Sequence, residues 1–143
     1  MTLEELEQKL PNGFHDAHIL KIELDYLAAT ARLHLSLLVG WPDDPVPERE
    51  EYQEAYLNLT GLCFCSIDPP DPNYPFIPNG EPVPASGYSL KPDDLPALSA
   101  LAKRFPEDTW CYGFFLDNWN AYIQIAAKHA EINWVGTTPR HAE

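Results

Sequence analysis

Basic residues are scarce in this chain. Nine Lys and Arg stand against 22 Asp and Glu, a net charge of −13 over 143 residues. A field of that sign repels phosphate backbones and anionic lipid surfaces, so neither nucleic acid nor membrane is expected as a partner, whereas a basic protein is permitted. Long apolar runs are missing as well: none approaches the roughly 20 residues of a membrane-spanning helix. Met1 to Lys9 is acidic and helical in pattern, with no basic stretch followed by an apolar one, so no signal peptide is expected. Cysteine is rare and odd in number, at three. That makes no disulfide framework, and a reducing cytoplasm is the simplest setting. The seven glycines are scattered, with no glycine-rich phosphate loop and no Gly-x-Ser-x-Gly elbow, so nucleotide-dependent catalysis has no support.

What is present describes a folded domain. Hydrophobic residues make up 45% of the chain, and four Trp, seven Tyr and six Phe supply bulky anchors, a composition that argues against disorder. The length suits a single domain, 1–143, able to bury a sizeable core. Fifteen prolines exceed the usual share of about 5%, so irregular segments are substantial.

Thr2-Leu3-Glu4-Glu5 reads as a capping box. Leu3, Leu6 and Leu10 follow on one helical face, and Pro11-Asn12-Gly13 stops the helix. From His18 the period switches to two. Leu20, Ile22, Leu24 and Tyr26 point one way, and Lys21, Glu23 and Asp25 the other. The alternation resumes at Leu33, Leu35, Leu37 and Val39. Setting Leu24 opposite Leu33, Ile22 opposite Leu35 and Leu20 opposite Leu37 also places Asp25 against Arg32 and Glu23 against His34, the agreement a half-buried hairpin needs. Ala28-Ala29 lacks the Gly or Asn of a tight primed turn, which leaves room for a longer loop.

Trp41 to Glu51 reads as a loop. Tyr56 to Ile67 reads as a third strand, and the two-faced apolar run Leu62–Cys65 places it centrally in a sheet. Seven prolines between Asp68 and Pro84 predict an ordered loop without regular pairing, pinned by Tyr74 and Phe76. Asp93-Asp94 caps a second helix near 94–105, with Leu95, Leu98, Leu101, Ala102 and Phe105 as its apolar stripe and Pro96 in its first turn. The last third reads as a meander of Thr109–Leu116, Ala121–Ala127 and Glu131–Val135. In it Phe114 faces Ile123 and then Trp134, and Tyr112 faces Ile125 and then Ile132. The expected fold is therefore α+β. It is mainly antiparallel sheet, as a sandwich or curled sheet, with one helix at the N-terminus and one before the meander.

Two places invite chemistry. Asn12-Gly13-Phe14-His15-Asp16-Ala17-His18 packs two imidazoles and a carboxylate into four residues. As metal ligands, His15, Asp16 and His18 are poorly spaced: in a strand Asp16 and His18 share a face while His15 points away, and a third ligand is missing. The favoured reading makes Asp16 and His15 hydrogen-bond the turn that joins the first helix to the first strand. Asp117-Asn118-Trp119-Asn120 is a polar turn, with a recognition loop anchored by Trp119 as the functional alternative. Cys63-x-Cys65 lies mid-strand in apolar surroundings, the setting of inert buried thiols rather than redox ones. No cofactor and no metal is expected, and no carboxylate pair stands out for hydrolysis.

At Asn12–Ala17 and again at Asp117–Asn120 the chain resembles a family of small uncharacterised bacterial proteins. They share an N-G-F-H-D-A start, an early amphipathic hairpin, a strand leading to Asp-Pro-Pro, and a W-N-A-type hairpin near the end. The resemblance covers most of the chain, implies no established activity and supplies no catalytic residues. In its acidic, single-domain character the chain is also similar to immunity proteins that neutralise basic bacterial toxins, a likeness from which no residue carries over. The functional expectation leans away from an enzyme. It is a non-enzymatic protein-binding module, with a ligand-binding enzyme using His15, Asp16 and His18 as one alternative and a structural homodimer formed through exposed sheet edges as another.

Overall fold

The computed structural model describes residues 1–74, 80–94 and 96–142. The predicted α+β class holds: one eight-stranded antiparallel sheet, curled but not closed, carries two short helices. In chain order the elements are α1 (Leu3–Glu7), β1 (Ala17–Asp25), β2 (Thr30–Leu38), β3 (Tyr52–Thr60), β4 (Phe64–Ile67), β5 (Val83–Ser89), α2 (Pro96–Ala102), β6 (Trp110–Leu116), β7 (Ala121–Ala127) and β8 (His129–Trp134). Among the described residues no helix is long and apolar enough to cross a membrane.

The capping box forms as the sequence predicts. Thr2 Oγ1 accepts from Glu5 N–H at 3.0 Å, and Glu5 Oε2 accepts from Thr2 N–H at 2.8 Å. Leu3, Leu6 and Leu10 are buried, which seats the helix on the core.

The β1–β2 hairpin forms in a different register. Ile22 lies opposite Leu33 and Glu23 opposite Arg32, and the turn is the four residues Tyr26–Ala29, with Asp25 Oδ1 accepting from Ala28 N–H. A bulge between Ile19 and Lys21 inserts Leu20 as an extra residue. It shifts the alternation by one, so Ala17 and Ile19 are buried before it and Ile22 packs on the core after it, while Leu24 is left exposed.

The third strand divides. Gly61, at φ +65°, turns the chain between β3 and β4. Leu62 and Cys63 therefore sit in a bend and Cys63 is exposed, rather than both lying in a central strand. The meander also divides. Phe114 does face Ile123 and Tyr112 does face Ile125, but β8 leaves β7 and pairs with β3, setting Ile132 opposite Leu57 and Trp134 opposite Ala55.

The strand order is β4-β7-β6-β5-β1-β2-β3-β8. Flat, it would hold β3 and β4 six strand intervals apart, roughly 29 Å at about 4.8 Å each. The linker Gly61–Cys63 reaches only about 14 Å, and β7 joins β8 through Lys128 alone. The two ends must therefore curl toward each other. Inside the curl lie Leu33, Leu35 and Leu37, Leu57 and Leu59, Phe114, Ile123 and Ile125, all essentially without solvent contact.

Two segments differ from the expected pattern, one more regular and one less. β5 begins at Val83 within the expected loop. Pro84 is tolerated because its carbonyl is the group used, accepting from Asp117 N–H at 3.0 Å. The preceding loop is held by Asp68 and Asp71 rather than by Tyr74, which is exposed; Phe76 lies outside the described residues. The second helix is shorter than 94–105. Asp94 Oδ2 accepts from Lys91 N–H, within a 3-10 turn at Pro92–Asp94 that precedes α2. Leu98 is buried as expected, and Leu95 lies outside the described residues.

Candidate functional site

In the segment before β1, each residue has a separate job. Asn12 Nδ2 donates to Leu38 O at 2.9 Å and to Gly40 O at 2.7 Å, tying the end of α1 to the end of β2. Gly13 takes φ +57°, where a side chain would be strained. Phe14 is fully buried and meets Tyr112 and Phe114 edge-on, at 5.9 and 5.4 Å between ring centroids. The hinge expected of His15 and Asp16 is thus made by Asn12 and Phe14, which sequence inspection passed over. Asn12 was legible only as a helix stopper, because its partners lie 26 and 28 residues away.

His15 and Asp16 are left on the surface. His15 Nε2 lies 3.4 Å from Asp16 Oδ2, with the side chains 75% and 57% exposed. Their approach follows from Asp16 adopting φ 54° before the strand begins at Ala17, so the alternation that would separate neighbours does not yet apply. His18, on the outer face of β1, stacks on Tyr52 with centroids 4.9 Å apart, and Tyr52 Oη donates to Asp16 O at 3.1 Å. Burial, with the Asp16 carboxylate second, raises the Tyr52 phenol. Among the described residues no group of three or more His, Cys, Asp and Glu is arranged to hold a metal ion. The His15–Asp16 pair lies open to solvent.

Of the Asp117–Asn120 turn, Trp119 alone turns inward, and Asp117, Asn118 and Asn120 are exposed. Trp119 packs against the core, Asp71 N–H donates to Trp119 O at 2.9 Å, and Asn120 Nδ2 donates to Asp71 Oδ2 at 2.9 Å. The bond from Asn73 N–H first, and then that from Asn120, lower the Asp71 carboxyl below its ordinary value. Trp119 is thus not an exposed anchor; Asp117 and Asn118 remain at the surface. Burial pushes the Cys65 and Cys111 thiols up, which disfavours the reactive thiolate.

The apolar surface lies elsewhere. At the β1–β2 tip Tyr26 and Leu27 are each 96% exposed and Leu24 53%. Beside them runs a groove of about 320 Å³ lined by Leu24, Tyr26, Ala29, Leu62, Phe64 and Cys65 among others. Ala29 O accepts from Leu62 N–H at 2.8 Å, so the tip and the start of β4 are fastened together. β4 is one edge of the sheet. The other edge, β8, is partly covered, because Ala130 N–H donates to Met1 O at 2.9 Å. Alternation puts Leu24 on the face of Ile22, which packs on the core, and nothing local shows that the hairpin tip runs out beyond that core. No family model, no curated protein and no solved structure matches the chain.

Proposed function

We propose that this protein is a non-catalytic binding module that docks a protein partner against the β1–β2 tip and the adjoining start of β4. The observation that carries the reading is the exposure of Leu24, Tyr26 and Leu27 beside an apolar-lined groove. Single exposed apolar residues are ordinary, but three at one tip, continuous with a groove and an edge strand, form a patch that water penalises until a partner covers it. The net charge of −13 favours a basic partner and speeds encounter with it. The narrower form of this reading is an immunity-type protein that neutralises a basic toxin in a reducing cytoplasm, a setting the three free thiols support.

A photo-crosslinking residue at position 27 tests it. In lysate of the native cell, the expected result is one discrete adduct with a basic protein, abolished by Leu24→Ser with Tyr26→Ser while the fold is retained. An adduct pattern indifferent to those substitutions removes the reading, and a self-adduct in a sedimenting dimer replaces it with the homo-oligomer alternative. A ligand-binding or catalytic role at His15, Asp16 and His18 rests on the 3.4 Å pair; unchanged ligand binding in His15→Ala and Asp16→Ala removes it.

A further inference from the structure

We propose that the outer face of β1–β2–β3 carries a binding site for a single carboxylate, built on Arg32. The cleft there, about 180 Å³, is lined by Lys21, Glu23, Arg32, His34 and Tyr56. Cross-strand pairing sets Glu23 directly opposite Arg32, where opposite charges ordinarily pair. They do not pair here. Glu23 is taken by Lys21 at 2.8 Å and Glu54 by His34 at 3.0 Å. Among the described residues the Arg32 guanidinium has no ion-pair partner. It lies instead 3.7 Å above the centre of the Tyr56 ring, which His34 also stacks against at 4.6 Å.

A guanidinium held over the ring is positioned without spending its N–H groups on an ion pair, because the ring attracts the cationic charge itself. A planar fork held in that way matches the two oxygens of an oxyanion. Lys21 holds Glu23 and His34 bonds Glu54, so among the described residues Arg32 is the cation lining the cleft whose N–H groups are left without an ion pair. The guanidinium's attraction and the acidic field both scale with ligand charge, so shape decides between carboxylate and phosphate. A carboxylate is planar and lays both oxygens in the plane of the fork, whereas a tetrahedral phosphate carries oxygens out of it. The site therefore suits a carboxylate, from a small organic acid or an acidic side chain. None of these five residues lines the groove at the hairpin tip, so this site stands apart from the protein-docking reading.

Titration with sodium acetate at ionic strength held constant by sodium chloride, followed at the Arg32 Nε–H resonance, tests the assignment. A saturable shift is expected, about tenfold weaker in affinity for Arg32→Lys, which keeps the charge and loses the fork. A similar weakening is expected for Tyr56→Leu, which removes the platform. Inorganic phosphate at neutral pH is expected to bind more weakly than acetate. The proposal is overturned by a shift that never saturates, by Arg32→Lys binding as tightly as the parent, or by phosphate binding more tightly than acetate. Backbone resonances away from the cleft report that each variant is folded.

Discussion

Asn12 shows how a single side chain can decide where a helix meets a sheet. Its amide bridges Leu38 O and Gly40 O, two carbonyls at the point where β2 ends and no ladder partner continues. Asn12→Ala leaves both partly buried acceptors without their donor, and the expected loss is about 1–3 kcal/mol, read by urea unfolding. A loss within experimental error makes Asn12 merely a helix stopper. The neighbouring positions explain why the motif was only half legible. Gly13 and the Pro11 before it announce a turn by their own backbone preferences. Phe14 announces only that it is apolar, and nothing local says that it will meet Tyr112 and Phe114 edge-on. The chemistry of His15 and Asp16 was equally undetermined, because their side-chain directions depend on Asp16 taking φ 54°.

At the scale of elements, alternation identified strands well and partners poorly. Apolar residues at Leu33, Leu35 and Leu37 identified β2 whatever lay beside it, since burial fixes the face. The bulge at Leu20 was invisible: one extra residue leaves the local pattern readable in either of two registers. The last residues of the chain form a clamp of the same non-local kind. His141 stacks on Trp41 with centroids 3.7 Å apart, and its Nε2 lies 2.9 Å from Asp44 Oδ2, with Arg140 3.4 Å from the same oxygen. Asp44 also accepts from Trp41 N–H, and this bond first, then His141, lowers its carboxyl below the ordinary 3.8. A carboxyl lowered in the folded state stabilises it above the ordinary value and loses that contribution as pH falls through the folded value. Trp41 fluorescence is therefore expected to report release of the tail as pH falls below the ordinary carboxyl value of 3.8. Asp44→Asn is expected to lack that transition and to show a looser tail at neutral pH. If Asp44→Asn follows the parent curve, the clamp does not depend on the carboxylate.

The whole molecule is set by two short links. Gly61–Cys63 and Lys128 each join strands that the sheet order places far apart, so the sheet curls and its apolar faces enclose one core. Gly61 has φ +65°, and a side chain there would meet Lys128 Cβ at 2.8 Å. Gly61→Val is expected to cost on the order of 1–3 kcal/mol from the backbone conformation alone, with a further penalty from the contact, measured as a lowered unfolding midpoint. A midpoint unchanged from the parent shows that the bend does not need glycine.

The sequence by itself determined the class of fold, the capped first helix, most of the strands and the acidic field, because propensity, period and charge act over a few residues or over the sum of them all. Only the tertiary structure decided the strand partners, the bulge, the crossing of β8 to β3, and which apolar residues remain outside. It also left Arg32 stacked on Tyr56 rather than paired with Glu23. Those outcomes depend on contacts between residues distant in the chain, where the length of a three-residue link or the reach of one amide settles a choice that local alternation leaves equal.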